Sequence, residues 1–364
     1  MIETKSIHKL LVRGTNWVGD AVLSLPALFL IRQSLPQAHI TLMVVPWVSG
    51  VYEECPAINE IFLYNRRQEH RGVRGKFRLV EELHSKQFDA AILFQNAFEA
   101  ALLAGLSRIP LRAGYRRDGR GWLLSPAIRR DPRLKNLHQS YYYLDLVEQI
   151  FGLQRSLESP SPCGPENSIG SSNRDWLSVS PPRRQKARQT LESEGIRGGR
   201  PIIGVNPGAS FGSAKRWPTD RFASLLDRLA GEQEVNVVLC GSPAEVPIAR
   251  AIASRMRHAP TILSGKTSLA ELVAVISCCD LFITNDSGPM HLAAALKIPM
   301  VSIFGPTDEI ATGPMNSDAV LIKKRVECSP CLLRECPIDH RCMTRIAVDE
   351  VYRQAVQQLQ KISA

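Results

Sequence analysis

Residues 281–295 read LFITNDSGPMHLAAA, and they decide the fold. An apolar run over 281–284 gives way to small polar residues, and Pro289 then opens a second apolar run. A short, continuous apolar run is typical of a strand that is buried on both faces, and proline is favoured in the first turn of a helix. The stretch therefore predicts a strand that leads through a polar loop into a helix, which is the repeating unit of a parallel α/β sheet.

The same alternation of strand and helix extends through both halves of the chain. Strands are predicted at 10–13, 40–45, 61–64, 90–94, 202–205, 235–239, 281–284 and 300–304. Helices are predicted at 21–34, 75–86, 97–106, 183–195, 219–231 and 245–256, and a further helix begins at Ser268, which forms a capping box with Glu271. The pattern predicts two doubly wound parallel sheets in series, with a cleft between the domains that binds ligands.

The length of 364 residues exceeds the size at which one hydrophobic core usually stops growing. Residues 156–180 are rich in Ser, Pro, Gly and Asn, which is typical of a linker or a long surface excursion. We therefore expect domains at 1–175 and 176–345, and a C-terminal helix at 346–364 that packs back on the first domain. No apolar stretch is long enough to cross a membrane and no export signal is visible, so a cytoplasmic protein is expected.

The net charge of +10 favours anionic partners. Much of the excess lies between residues 108 and 135, at Arg108, Arg112, Arg116, Arg117, Arg120, Arg129, Arg130, Arg133 and Lys135. Three interpretations are open: a solvated loop, a cradle for phosphate or carboxylate groups, and a contact with anionic lipid. Nucleic acid is disfavoured because the stretch has few aromatic residues for stacking.

Two loops of the second half follow predicted strands and carry phosphate-binding chemistry. The loop from Asn206 through Gly208 and Ser210 to Lys215 and Arg216 offers backbone N–H groups and positive charge, although a plain connection fits equally well. The loop after the strand at 281–284 offers a helix start to a diphosphate, at Asp286, Ser287, Gly288, Pro289 and His291. The alternatives there are ordinary caps at Asp286 and Ser287 and a packing role for His291.

Two carboxylates have both a chemical and a structural interpretation. Glu245, beyond the strand at 235–239, either accepts the hydrogen bonds of a ribose diol or favours the start of the next helix. Asp20, after the first strand, is either a general base or the N-cap of the helix predicted from Ala21. Neither a P-loop nor a nicotinamide fingerprint is present, which disfavours a kinase and a dehydrogenase.

Four cysteines near the C-terminus have a spacing that zinc sites sometimes show. They are Cys328, Cys331, Cys336 and Cys342. Only one CxxC pair occurs, so a zinc site stands beside a reduced, packed loop and a disulfide formed after isolation. The prediction is that no metal or cofactor is required.

Together these motifs resemble glycosyltransferase family 9, the ADP-heptose:lipopolysaccharide heptosyltransferases, and most closely the heptosyltransferase II type. The resemblance rests on residues 14–20 (GTNWVGD), 206–209 (NPGA), 215–218 (KRWP), 285–293 (NDSGPMHLA), 304–307 (FGPT) and 328–331 (CSPC). It implies a GT-B fold, with the acceptor bound by the first domain and the nucleotide sugar by the second. It also implies an inverting, metal-independent transfer of heptose from ADP-heptose to the inner core of lipopolysaccharide.

The resemblance assigns a role to each motif. Asp20 would be the general base, and Lys215 would stabilise the leaving diphosphate. Donor binding falls to Asn206, Gly208, Ser210, Arg216, Glu245, Asp286, Ser287, Gly288, Pro289 and His291. Acceptor binding is expected of Asn16, Trp17, Arg112, Arg116, Arg117 and Arg120, close to the inner leaflet of the membrane.

Two alternatives remain open. One is a family 9 transferase with another sugar or acceptor, such as a heptosyltransferase I or III. The other is a non-catalytic protein that binds nucleic acid through a zinc-bound tail and a basic face, which steeply salt-dependent binding would indicate.

Overall fold

The chain folds into two compact units, residues Met1–Trp176 and Leu177–Ala364. The structure is a computed structural model that describes residues 6–158, 175–196 and 198–363. Most of the predicted linker, at 159–174, lies outside the described residues. No helix within the described ranges is both long and apolar enough to cross a membrane.

The first unit contains a parallel six-stranded sheet with the order β3-β2-β1-β4-β5-β6. Its strands are β1 Lys9–Arg13, β2 His39–Val44, β3 Glu60–Leu63, β4 Ala90–Leu93, β5 Leu111–Tyr115 and β6 Ala127–Ile128. Its helices are α1 Val18–Leu23, α2 Leu25–Ser34, α3 Gly72–Ser85, α4 Phe98–Leu106 and α5 Ser140–Phe151. Strands β1, β2 and β4 are almost entirely buried, as expected of a sheet covered on both faces.

The second unit repeats this topology, with the order β12-β11-β10-β7-β8-β9. Its strands are β7 Ile202–Asn206, β8 Asn236–Leu239, β9 Thr261–Ile262, β10 Leu281–Asn285, β11 Met300–Phe304 and β12 Val320–Lys323. Its helices are α6 Pro181–Ser193, α7 Thr219–Glu232, α8 Val246–Ala253, α9 Leu269–Ile276, α10 Gly288–Ala295, α11 Glu309–Thr312, α12 Arg341–Thr344 and α13 Val348–Ser363. The predicted α/β GT-B class, with two doubly wound sheets, is therefore confirmed.

Each sheet reverses its strand order at one place. In the first sheet the reversal lies between β1 and β4, and in the second between β7 and β10. Loops that leave neighbouring strands at such a point diverge to opposite faces of the sheet, so a crevice opens at the carboxyl ends of those strands. The predicted site residues that follow β1, β7 and β10 therefore lie at the two crevices, whereas Glu245 follows β8 and the predicted arginines lie in or after β5.

One predicted helix is divided in the structure. Residues 21–34 were expected to form one helix, but α1 ends at Leu23 and α2 begins at Leu25. Pro26 causes the break because it has no N–H to donate to the preceding turn and occupies the start of α2. The Ser24 hydroxyl donates to the Ala21 carbonyl at 2.8 Å and closes the end of α1.

The C-terminal helix α13 packs against α7, β10 and β11 of the second unit. The expected packing of this helix on the first domain stays a prediction. Val351, Ala355 and Leu359 of α13 are buried in the core of that unit. Tyr352 adds a hydrogen bond from its hydroxyl to Glu232 at 2.7 Å. The apolar face of α13 is therefore satisfied locally, which is the physical reason for its position.

Candidate functional site

Lys215 is held at the carboxyl edge of the second sheet by a buried carboxylate. Its Nζ lies 2.6 Å from Oδ2 of Asp286, and both side chains are largely buried. Thr307 donates its hydroxyl to the same Oδ2, also at 2.6 Å. The ring of Phe211 lies 4.9 Å from the lysine nitrogen. Asp286 therefore orients a desolvated ammonium group, and Thr307 orients Asp286.

The start of α10 lies at the switch point of the second sheet. Ser287 is the N-cap residue, but its hydroxyl donates to Oδ1 of Asn206, at 2.9 Å, and makes no capping bond to the helix among the described residues. Gly288 opens the helix and Pro289 occupies its first turn. Ser287 thus occupies the N-cap position that the alternative described, but its side chain bonds to Asn206 instead of to the helix. Its hydrogen bond ties α10 to the end of β7, and the helix start keeps its partial positive charge for an anion.

Asn285 joins the two phosphate-type loops and was missed by the sequence analysis as a site residue. Its Oδ1 accepts a hydrogen bond from the Trp217 backbone at 3.1 Å. Its Nδ2 donates to the Pro207 carbonyl at 2.7 Å. The amide side chain is fully buried and clamps the loop over 207–217 at both ends. A polar residue at the end of an otherwise apolar strand was the available signal.

Glu245 stabilises the start of the helical segment that follows β8, which is the structural alternative given for it above. Its Oε2 accepts hydrogen bonds from the Ser242 backbone at 2.7 Å and from the Ser242 hydroxyl at 2.9 Å, which forms a capping box. The carboxylate also lies against Gly208, where an added Cβ would overlap Oε1. Gly208 is therefore required for the loops after β7 and β8 to approach each other.

The remaining donor-site predictions lie around this centre. The Ser210 side chain is exposed, and His291 is buried in the first turn of α10. Arg216 donates from its guanidinium to the Ala209 carbonyl at 3.2 Å, while its buried Nε has no hydrogen-bond partner among the described residues. The loop after β7 thus carries two adjacent cations, of which Lys215 is the more firmly positioned.

The segment over 328–342, here called the cysteine loop, packs directly on the loop over 207–217, here called the lysine loop. The Ala214 backbone N–H donates to the Arg334 carbonyl at 3.0 Å, and Nε2 of His340 donates to the Ala214 carbonyl at 2.7 Å. The Cys331 N–H donates to the Pro306 carbonyl at 3.0 Å. Among the described residues no group of three or more His, Cys, Asp or Glu side chains is placed to hold a metal ion. The contacts of the cysteine loop stabilise the backbone around Ala214 and Pro306.

Asp20 lies in the first turn of α1, at the switch point of the first sheet. The helix begins at Val18 with Trp17 as its N-cap residue, so the N-cap alternative for Asp20 is wrong. Tyr143 of α5 donates its hydroxyl to Oδ1 of Asp20 at 3.0 Å. Burial raises the pKa of Asp20, and the hydrogen bond from Tyr143 partly offsets this increase. A desolvated carboxylate with one defined partner is suited to accept a proton.

Aromatic and basic side chains lie next to the segment that precedes Asp20. Trp17 is exposed, and the Nε1 of Trp47 donates to the Asn16 carbonyl at 2.8 Å. The guanidinium groups of Arg66 and Arg67 lie 5.4 and 5.1 Å from the centre of the Trp47 ring. Trp47, Arg66 and Arg67 were not predicted as site residues, because their proximity depends on the pairing of β1, β2 and β3.

The predicted arginine cradle is divided between surface and interior. Arg116 and Arg117 are exposed and line a pocket of about 530 Å³ with Trp122 and Arg129. Arg120 has no exposed surface, and its guanidinium donates to the carbonyl groups of Tyr115 and Gln95. The prediction that Arg120 binds the acceptor is therefore wrong, since its donors stabilise the loop from inside.

Arg112 is also committed to the backbone around it. Its Nε donates to the Leu123 carbonyl at 2.8 Å, and its Nη1 donates to the Ile109 and Pro110 carbonyls. Arg112 is only partly exposed, so it contributes to the shape of the basic loop more than to its free charge. Among the arginines predicted to bind the acceptor, the exposed ones are Arg116 and Arg117, which line the pocket.

Two sheets of this order, with a lysine, a carboxylate and a helix start at the switch point of the second, are typical of transferases that use nucleotide sugars, and the protein is a glycosyltransferase. The chain belongs to glycosyltransferase family 9. The family described as glycosyltransferase family 9 (heptosyltransferase) matches residues 76–341.

Curated relatives are similar over most of the chain. Lipopolysaccharide heptosyltransferase 2 of Salmonella typhimurium is 32% identical over 86% of this chain and 88% of the relative. Lipooligosaccharide heptosyltransferase 2 of Campylobacter jejuni is 28% identical over 95% of this chain and 97% of the relative. The solved structure of Escherichia coli ADP-heptose lps heptosyltransferase II has a TM-score of 0.81 and 28% identity, covering 98% of this chain and 100% of the other.

Proposed function

We propose that the protein transfers L-glycero-D-manno-heptose from ADP-heptose to the inner core of lipopolysaccharide, as a heptosyltransferase of type II. The observation that carries the proposal is the Lys215–Asp286 ion pair beside the start of α10, because together they offer a fixed cation and a helix start to a diphosphate. The names of the similar curated proteins support the same sugar and acceptor class.

The proposed reaction is a single displacement without a metal ion. A hydroxyl oxygen of the acceptor sugar bonds to the anomeric carbon of the donor while the bond from that carbon to the ADP oxygen breaks. Asp20 takes the proton of the attacking hydroxyl, and the configuration at the anomeric carbon is inverted. Lys215 and the first N–H groups of α10 stabilise the negative charge that develops on ADP.

The other donor residues have supporting roles in this proposal. Ser287, Gly288 and Pro289 present the helix start to the phosphates, with Arg216 as a second cation. Glu245 accepts hydrogen bonds from the ribose through Oε1, since Oε2 is already engaged by Ser242. Asn206, Gly208, Ser210 and His291 shape the loop and the floor of the pocket.

The acceptor is proposed to bind to the first unit. Arg116, Arg117 and Arg129 line a pocket that suits the phosphate and carboxylate groups of an inner-core glycolipid. Asn16 and Trp17 lie beside Asp20 on the same loop and would contact the sugar that is attacked. Such an acceptor implies a cytoplasmic protein at the surface of the inner membrane.

Calorimetric titration with ADP, with and without EDTA, tests the proposal. We expect ADP to bind equally well under both conditions, and Lys215→Ala to bind it more weakly while lowering the transfer rate about 10²- to 10³-fold. Lys186→Ala, which removes an exposed cation from α6 in the same unit, is the control and should behave like the unmodified protein. Binding of UDP or GDP in place of ADP would discard the heptose donor, and no nucleotide binding would discard the catalytic proposal.

A further inference from the structure

An exposed apolar patch lies on the first unit, formed by Val73 and Phe77 of α3, Phe98 of α4 and Trp122. Val73 is 73% exposed, Phe77 62% and Trp122 75%. Val73 and Phe77 are four residues apart in α3 and therefore lie on the same face of the helix. Large apolar side chains with this exposure are a cost in water unless they meet a partner surface.

Three contacts bring the members of this apolar patch together. The rings of Phe98 and Trp122 are 6.2 Å apart between centroids. Lys76 of α3 forms an ion pair with Glu99 of α4, and these residues are the chain neighbours of Phe77 and Phe98. Helices α3 and α4 also pack along each other. The four apolar side chains therefore belong to one surface, not to separate loops.

Exposed arginines border the apolar patch. On and next to α3 they are Arg71, Arg74 and Arg78, and around Trp122 they are Arg116, Arg117 and Arg129. Glu81 and Asp118 are the exposed acids within these two segments. Since the cations outnumber the acids, the apolar patch lies within a surface of positive potential.

The apolar patch lies at the same edge of the first sheet as Asp20. Helix α3 follows β3, α4 follows β4 and Trp122 follows β5, so all three begin at the carboxyl edge of the first sheet. Asp20 follows β1 at the same edge. A surface that rested on the apolar patch would therefore lie beside the edge at which Asp20 meets its acceptor.

We propose that the apolar patch and its arginines dock the protein on an anionic lipid bilayer. This inference rests on the proposed function, in which the acceptor is a glycolipid whose lipid part stays in the membrane. Apolar side chains flanked by cations are the composition of surfaces that lie in the membrane interface, where arginine pairs with anionic headgroups and the apolar groups enter the acyl boundary. Val73 and Phe77 insert, and Arg74 and Arg78 of the same helix bind headgroups.

Vesicle co-sedimentation of the full chain tests the docking surface. Vesicles of phosphatidylglycerol and phosphatidylcholine are compared with vesicles of phosphatidylcholine alone, at low and high salt. The variant Val73→Ser/Phe77→Ser is compared with Leu106→Ser, which removes a 53% exposed apolar side chain from the other end of α4. We expect the double variant to bind the anionic vesicles at least about tenfold more weakly, because burial of even one of the two apolar side chains contributes about that factor.

The outcomes separate this proposal from the proposed function. Loss of vesicle binding in Val73→Ser/Phe77→Ser but not in Leu106→Ser, with weaker binding at high salt, supports the docking surface. Equal vesicle binding by both variants overturns the proposal, and so does equal binding to vesicles with and without anionic lipid. The proposal is also overturned if the apolar patch binds another protein but the full chain binds no vesicles. The proposed function is measured separately, by ADP titration and by transfer to a delipidated, water-soluble acceptor, and we expect both to be unchanged in the double variant.

Discussion

Asp20 is a half-buried carboxylate whose one described side-chain partner is the hydroxyl of Tyr143. Burial raises the pKa of Asp20, and the hydrogen bond lowers it again in part. As a general base Asp20 must be ionised, so kcat/KM should fall as the pH decreases through its raised pKa. Tyr143→Phe removes the opposing hydrogen bond, and we therefore expect the acidic limb of the pH–rate profile to move to higher pH. An unchanged limb would argue against Asp20 as the base, and Tyr141→Phe in the same helix is the control.

Thr307 acts on Lys215 through Asp286, because both groups bond to the same carboxylate oxygen. Thr307→Val keeps the size of the side chain and removes the hydroxyl, so Asp286 is free to rotate and Lys215 loses its fixed position. A hydrogen bond to a charged group contributes about 1.5–3 kcal/mol, which corresponds to a loss of about tenfold or more in ADP affinity. Thr307→Ser should restore binding in the same titration. If Thr307→Ser were as weak as Thr307→Val, packing and not the hydroxyl would be responsible.

At the scale of elements, the cysteine loop supports the lysine loop through backbone contacts. A Cβ at Gly212 would overlap the Arg334 backbone. Gly212→Ala therefore forces the two loops apart, and we expect a loss of about 1–3 kcal/mol in stability together with weaker ADP binding. Thermal unfolding and ADP titration measure the two effects. Gly198→Ala is the matched control, since no atom lies within 4 Å of its Cβ position.

The basic pocket after β5 belongs to the same scale. Arg116 and Arg117 are exposed on its wall, whereas Arg120 is bonded inside the loop. Arg116→Ala/Arg117→Ala should raise the KM for the acceptor and leave ADP affinity unchanged. Arg120→Ala should instead lower thermal stability, because the Tyr115 and Gln95 carbonyls lose their donor. Weaker ADP binding by the double variant would contradict the assignment of this pocket to the acceptor.

For the whole molecule, the two units each carry their own sheet and their own switch point. Donor chemistry is confined to the second unit in the proposed function. Hydrogen exchange should therefore slow on addition of ADP at residues 206–217 and 285–291, since bound phosphate protects N–H groups that are otherwise open to water. Mass spectrometry of exchanged peptides measures this effect. Protection restricted to residues 14–20 of the first unit would reverse the assignment of the two units.

Much of the candidate site could be predicted from the sequence, because most of the site residues come shortly after a predicted strand. Asp20 follows β1 of the first sheet, and Lys215 and Asp286 follow β7 and β10 of the second. Each parallel sheet brings the segments that follow its own strands to one of its edges. Trp47, Arg66 and Arg67 were not found, since no spacing along the chain shows that they stack. Arg120 was misassigned because a charge in a basic run looks the same whether it faces water or the interior.

The two parallel sheets, the glycosyltransferase family and the loops that carry the chemistry follow from the sequence alone. Each of these depends on local pattern: the length of apolar runs, the proline at a helix start and the polar residues between them. Only the tertiary structure decided that Asp286 and Thr307 hold Lys215, that Arg120 is buried and that α13 packs in the second unit. These outcomes depend on which distant surfaces bury each other, and burial is a property of the packed chain rather than of any segment.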